Sequence, residues 1–238
     1  MKYILPFLFS VAIASCHSND NASETGNTQS DSTVGVKPTG FEVKQLSGVF
    51  YDTLPCADCP GIATKIYLKP DRTFIMEQEY VSKKIAYQTG TWTNSDSLLR
   101  LSGTTDTQQF KIESYALLEV LDTEGKEIAG TPKKLEVRRN NVPFKPLQPV
   151  PVEGIFRSIH DTMAIHVCSM NKDYQATLAP TAMMMTSKYK QVAKQQGQPV
   201  YAKVAGHFEL RPSLNDTITQ DFFVIEKFIS FDAKGVCK

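Results

Sequence analysis

Beyond its first sixteen residues this 238-residue chain has no long apolar run, so no later segment is predicted to cross a membrane as a helix, which takes about 20 apolar residues. It has no basic cluster either. Its 26 Lys and Arg and 25 Asp and Glu are spread along the chain for a net charge of +1, which excludes the electrostatic footprint of a nucleic-acid binder and that of a polybasic, headgroup-binding segment. No G-x-S-x-G, H-E-x-x-H, Gly-rich phosphate loop or paired-carboxylate signature occurs, so nothing in the sequence asks for an enzyme. Residues 17–40 hold no aromatic side chain and consist almost entirely of Ser, Thr, Asn, Asp, Gly and Gln. Such a segment buries too little apolar surface to offset its ordering entropy and is expected to be a flexible tether.

What is present begins with Lys2 and an apolar run from Ile4 to Ile13, closed by Ala14-Ser15-Cys16. This is the layout of a secretory signal peptide, and the cysteine after small residues makes it similar to a bacterial lipobox. The resemblance implies removal of residues 1–15 and a lipid on Cys16, with residues 16–40 as the spacer between membrane and folded part. A membrane-spanning reading fails because the run is too short for about 30 Å of hydrocarbon.

From residue 41 to 146 the rhythm is that of short strands between turns. Ile62, Thr64, Ile66 and Leu68 alternate with polar residues, Pro70-Asp71-Arg72 turns the chain, and Thr73–Tyr80 follows. Further runs lie around Gly48–Tyr51, Gly90–Thr93, Leu98–Leu101, Gln108–Glu113, Ala116–Leu121 and Leu135–Arg138. This spacing predicts an antiparallel sandwich or barrel with no long helix. Pro143, Pro146, Pro149 and Pro151 then mark a boundary, giving a hinge at 147–151 and a second domain at 152–238. There the expected strands are Val152–Ser158, Met163–Cys168, Tyr174–Leu178, Val200–Leu210 and Phe222–Phe231. One helix is expected over 181–196, because Ala182, Met185, Tyr189, Val192 and Ala193 share a face and Gly197 can stop it. Five strands with a late helix are compatible with an OB-like barrel.

Five cysteines are present. With Cys16 set aside, an even four remain in an exported, disulfide-permissive setting. Three pairings are possible; the simplest joins Cys56 to Cys59 and Cys168 to Cys237, keeping each bond within one domain. Cys56-Ala57-Asp58-Cys59 can be a structural disulfide, two thiolates for a soft metal such as Cu(I), or a redox pair. It follows a strand rather than opening a helix, which argues against thioredoxin-type catalysis. Cys168 and Cys237 read as a staple or as a redox sensor on the same physical basis. His166 and Cys168 share a predicted strand face with Met163, Met170 and Met183 to Met185 nearby; this is either a copper-favouring set or, more plainly, core and gap-filling side chains. His160 and His207 read as turn and strand residues.

The run Gly48-Val49-Phe50-Tyr51, then Leu54-Pro55-Cys56-Ala57-Asp58-Cys59-Pro60-Gly61-Ile62 and Ile66-Tyr67-Leu68, resembles the signature of the NlpE family of bacterial lipoproteins. Gly90-Thr91-Trp92 and Leu99–Leu101 continue the likeness. Beyond the hinge, Glu153-Gly154-Ile155-Phe156, Cys168, Val204-Ala205-Gly206-His207-Phe208 and Cys237 extend it. The resemblance implies a lipocalin-like N-terminal β-barrel, a C-terminal OB-fold, and lipid anchoring at the outer membrane, facing the periplasm or the cell surface. It also implies links to copper tolerance, adhesion and envelope-stress signalling, an envelope sensor kinase (Cpx in the best-known members) as partner, and a C-terminal disulfide acting as a redox input. Other readings are a direct Cu(I)-binding protein using Cys56 and Cys59, or a small-ligand or peptide module. A hollow barrel would favour the ligand module; one plugged by Trp92, Phe74 and Leu side chains would argue against it.

Overall fold

The computed structural model describes residues 40–56, 59–80, 84–128, 136–212 and 219–237. The signal and tether assigned to 1–15 and 16–40, including Cys16, lie outside them except for Gly40. The chain is mostly β and forms two closed barrels.

The first barrel contains β1 (Gly48–Leu54), β2 (Ile62–Leu68), β3 (Thr73–Tyr80), β4 (Ile85–Ser95), β5 (Leu98–Gly103), β6 (Thr107–Ser114), β7 (Leu117–Val120) and β8 (Glu136–Asn140). Each pairs antiparallel with its neighbour in sequence, and β8 returns to β1 to close the sheet. Alternation sends Phe50, Ile66, Leu68, Phe74, Met76, Trp92, Leu99, Leu101, Phe110, Ile112, Leu118 and Val137 inward, and together they fill the interior. Gly90 is needed where β4 runs close beside β5, because a Cβ there would lie 2.0 Å from the Ser102 carbonyl oxygen. Turns between strands place Arg72 and Asp96 at positive φ.

A one-turn helix, α1 (Val43–Leu46), seals one end of this barrel with Leu46 fully buried. Arg139 of β8 fastens it: its guanidinium donates to the carbonyls of Gln45 at 2.5 Å, Leu46 at 3.0 Å and Ser47 at 2.9 Å, and to that of Tyr115 at 2.7 Å. A cation against the last carbonyls of a helix is favourable there.

The second barrel contains β9 (Val150–Ile159), β10 (Thr162–Val167), β11 (Lys172–Leu178), β12 (Val200–Pro212) and β13 (Thr219–Asp232), in the spatial order β10-β11-β13-β12-β9, closed. The β11–β13 pair is parallel and the rest antiparallel, the arrangement of an OB barrel. β12 shifts register between Lys203 and Val204 and again between Ala205 and Gly206, so that it bends around the barrel. A Cβ on Gly206 would lie 1.9 Å from the Val224 carbonyl oxygen.

Two sequence expectations shift here. Val150 and Pro151, assigned to the hinge, already pair with Gly206 and Ala205, and Val150 is fully buried. The helix is shorter than 181–196: a 3-10 turn at Pro180–Ala182 precedes α2 (Met184–Val192). Its apolar face is as read, with Ala182, Met185 and Tyr189 buried. After Ala193 come Lys194, Gln195 and Gln196, which have nothing to bury, and the backbone at Ala193 is extended.

Candidate functional site

Cys56 and Cys59 form a disulfide at the tip of the β1–β2 hairpin, with Cα atoms 5.2 Å apart, just beyond the Leu54–Ile62 strand pair. No helix begins there, so no helix N-terminus lowers a thiol pKa. Both residues are partly exposed, and Asp58 lies outside the described residues. If the bond were reduced, two soft thiolates would face each other, a set that fits Cu(I) with two ligands. Among the described residues no group of three or more His, Cys, Asp or Glu side chains converges on a point.

Cys168 and Cys237 form the second bond, closing 69 positions of sequence with Cα atoms 5.3 Å apart. Cys168 follows β10, and its N–H donates to the Glu153 carbonyl at 3.0 Å. Cys237 follows the turn after β13, where Gly235 lies so close under Tyr201 that a Cβ would sit 2.7 Å from the ring. The bond therefore ties the end of the chain to the β10–β11 turn. In the chain-entropy model a loop of this length contributes roughly 4 kcal/mol, against roughly 2 kcal/mol for a four-residue loop such as Cys56–Cys59.

The candidate His–Cys–Met set does not assemble. His166 Nδ1 lies 3.1 Å from Asp173, and Cys168 is consumed in its disulfide. Met170 is buried and accepts a hydrogen bond from Tyr174 at 3.2 Å; Met185 belongs to the core, and Met183 and Met184 are exposed. His160 occupies a turn at positive φ, and His207 pairs with Glu226 across the β12–β13 hairpin.

The sequence pointed to none of the charged residues between the barrels. β3 is buried on both faces: Phe74 and Met76 inside its own barrel, Ile75 and Glu77 on the outside. Glu77, 1 % exposed, accepts from Lys65 Nζ, from the Tyr87 hydroxyl and from the Leu147 N–H, each at 2.7 Å. This clamps the connecting segment to the barrel wall, where Phe144 also stacks on Tyr67 at 5.4 Å. Burial, and then the Glu77 carboxylate, push the Tyr87 hydroxyl pKa up. Lys69 and Asp71, read only as strand end and turn, meet Lys172 and Asp221 of the second barrel. Nothing local distinguishes them, because their partners stand 152 and 101 positions away.

The comparisons agree with this architecture. Residues 50–131 match the NlpE N-terminal domain, and residues 146–238 match the NlpE C-terminal OB domain. The chain is 27 % identical to Lipoprotein NlpE of Escherichia coli (strain K12) over 174 residues, 71 % of either chain. It is 29 % identical to a 17 kDa lipoprotein of Treponema pallidum over 114 residues, 45 % of this chain and 72 % of that one. The crystal structure titled as the Cpx pathway activator NlpE from Escherichia coli aligns over 80 % of this chain and 97 % of its own, with 24 % identity and a TM-score of 0.33. Two barrels, the two cysteine bonds and both domain matches lead to one assignment: the chain belongs to the NlpE family.

Proposed function

We propose that this protein is a lipid-anchored lipoprotein of the outer membrane that senses or buffers envelope stress (redox, lipoprotein trafficking or copper) without catalysis. The observation that carries this reading is the Cys168–Cys237 bond, which staples the last strand of the second barrel to its β10–β11 turn. Oxidation state then sets how firmly one domain is held. Cys16 would carry the lipid, the spacer at 16–40 would let the barrels reach across the periplasm, and an envelope-stress sensor protein would be the partner. Support for the lipoprotein part comes from the relatives, both named as lipoproteins. Among the described residues no helix is long and apolar enough to cross a membrane. The test is overproduction in the native bacterium with an envelope-stress transcription reporter. Wild type raises the reporter several-fold and Cys16→Ser does not; equal output from both contradicts the reading.

A second reading is direct Cu(I) binding through Cys56 and Cys59, favoured by their convergence at a partly exposed hairpin tip. Cu(I) titration of the reduced protein against a competing chelator tests it, with Cys56→Ser/Cys59→Ser as control. Stoichiometric binding lost in the control establishes it, and no binding removes it. The ligand-carrier reading loses ground because Trp92, Phe74 and five leucines fill the first barrel.

A further inference from the structure

Four charged side chains meet where the barrels touch. Lys69 leads into the β2–β3 turn, and only 5 % of its side chain is exposed. Its ammonium lies 3.5 Å from Asp71 of its own barrel and 3.2 Å from Asp221 of the other. It also sits 5.1 Å and 5.3 Å from the ring centres of Tyr174 and Phe208. Lys172, at the start of β11, mirrors it: it reaches across to Asp71 and lies 2.5 Å from Asp221. Each lysine thus touches a carboxylate from both barrels, and the four charges sum to zero. Asp71 is held in place from behind, since its other oxygen accepts from the Thr73 N–H at 3.0 Å and the Thr73 hydroxyl at 2.6 Å. Beside the four, Thr89 and Ser169 hydroxyls meet at 2.7 Å, and Ile75 packs into the second barrel's apolar cluster.

An interface that never opens resembles a core cut in half, whereas contacts that separate are more polar, because each half must live in water alone. Here all four charges regain water on separation. In the closed form each depends on the others, because a buried ammonium without its carboxylate is strongly unfavourable. Each barrel is closed on itself, so parting them breaks no strand pairing and withdraws Ile75 and its neighbours Tyr67 and Tyr87 from the second barrel's apolar cluster.

We propose that the joint between the barrels is a releasable charge lock, Lys69 and Lys172 against Asp71 and Asp221, and that the protein has a closed and an open form. Opening uncovers Ile75 and the covered parts of Tyr67 and Phe208, an apolar face. This inference stands whether or not the protein signals stress.

The test is nitrogen-15 relaxation on the full chain carrying Cys16→Ser, which leaves no site for lipid. In the otherwise unaltered chain the amides of both barrels report one rotational correlation time. In Asp221→Lys they separate into two times, each shorter by about twofold because each barrel is about half the folded mass, with both barrels' amide signals still dispersed. A single time in Asp221→Lys overturns the lock. If Asp221→Lys fails to fold, Asp71→Asn, on a turn of the other barrel, is read in the same way: two times support the lock and one overturns it.

Discussion

Cys168, bonded to Cys237, is followed in the chain by Ser169, whose hydroxyl lies 2.7 Å from that of Thr89 in the first barrel. The same turn ends at Lys172, which reaches Asp71. The staple of the second barrel and its contacts with the first therefore share one five-residue turn, held internally by the Asn171 N–H donating to the Cys168 carbonyl at 3.2 Å.

Replacing both Cys168 and Cys237 by Ser is expected to destabilise the second barrel by roughly 4 kcal/mol, by the loop-entropy argument. Replacing Cys56 and Cys59 is expected to cost the first barrel about 2 kcal/mol at most. Guanidinium unfolding separates the two, because the single tryptophan, Trp92, is buried in the first barrel and reports on it. Amide exchange at 168–172 should quicken in the first variant only. Equal losses from both pairs would contradict the assignment of the long loop as the principal staple.

Leu101→Ala should cost about 2–5 kcal/mol, because Leu101 is fully buried inside a filled barrel and its removal leaves a cavity. Trp92→Phe should cost less but still register. It deletes both bulk and the indole N–H donated at 2.9 Å to the Lys69 carbonyl, leaving that acceptor only the Arg72 N–H at 3.1 Å. Thermal or denaturant unfolding of each variant measures this. A loss near zero for Leu101→Ala would mean the barrel is not packed as described.

Glu77→Ala should cost roughly 2–3 kcal/mol, since it leaves the Leu147 N–H and the Lys65 ammonium without their buried acceptor. It should also free the connecting segment. Limited proteolysis should then cut between residues 141 and 149 faster in the variant than in wild type. Unchanged cutting would show that Phe144 on Tyr67 suffices to hold the segment.

The joint should be insensitive to pH near neutrality. Burial alone would raise the Asp71 pKa, but hydrogen bonds from Lys172 and Thr73 and the charge of Lys69 outweigh it and hold the carboxyl below its ordinary value of 3.8. Burial would lower the Lys172 pKa, but its bonds to Asp221 and Asp71 raise it above 10.5. Burial first, and then the charges of Asp71 and Asp221, push Tyr67 and Tyr174 upward, so they stay neutral. The Asp71 contribution is complete above 3.8 and is lost as pH falls through its lowered value; the Lys172 contribution is complete below 10.5 and is lost as pH rises through its raised value. Relaxation measured from about pH 5 to 9 should therefore find one correlation time throughout. A transition near pH 6 would contradict this balance.

Much of the fold was legible in local pattern. β3 runs from Thr73 to Tyr80 and β2 from Ile62 to Leu68, as alternation and the intervening Pro70-Asp71-Arg72 turn predict. Local pattern left open whether the first barrel is hollow or plugged; the structure shows Trp92, Phe74 and leucines filling it. The joint was not legible. Ile75 and Glu77 look like the solvent face of a strand; the second barrel's apolar cluster buries Ile75, and the connecting segment at Leu147 with Lys65 and Tyr87 buries Glu77. Lys69 reads as a polar strand position and Asp71 as a turn residue, and neither reading reveals partners that come from β11 and β13. The end of α2 was missed because Gly197 was taken as the stop, whereas the helix ends once the chain runs out of side chains to bury.

The most direct measurement of the central claim is the envelope-stress reporter in the native bacterium, comparing wild type with Cys168→Ser/Cys237→Ser at equal protein abundance and in the same membrane fraction. The account predicts that output from the variant no longer responds to a dithiol reductant, while wild type changes when the bond is reduced. Identical responses from both proteins would contradict it.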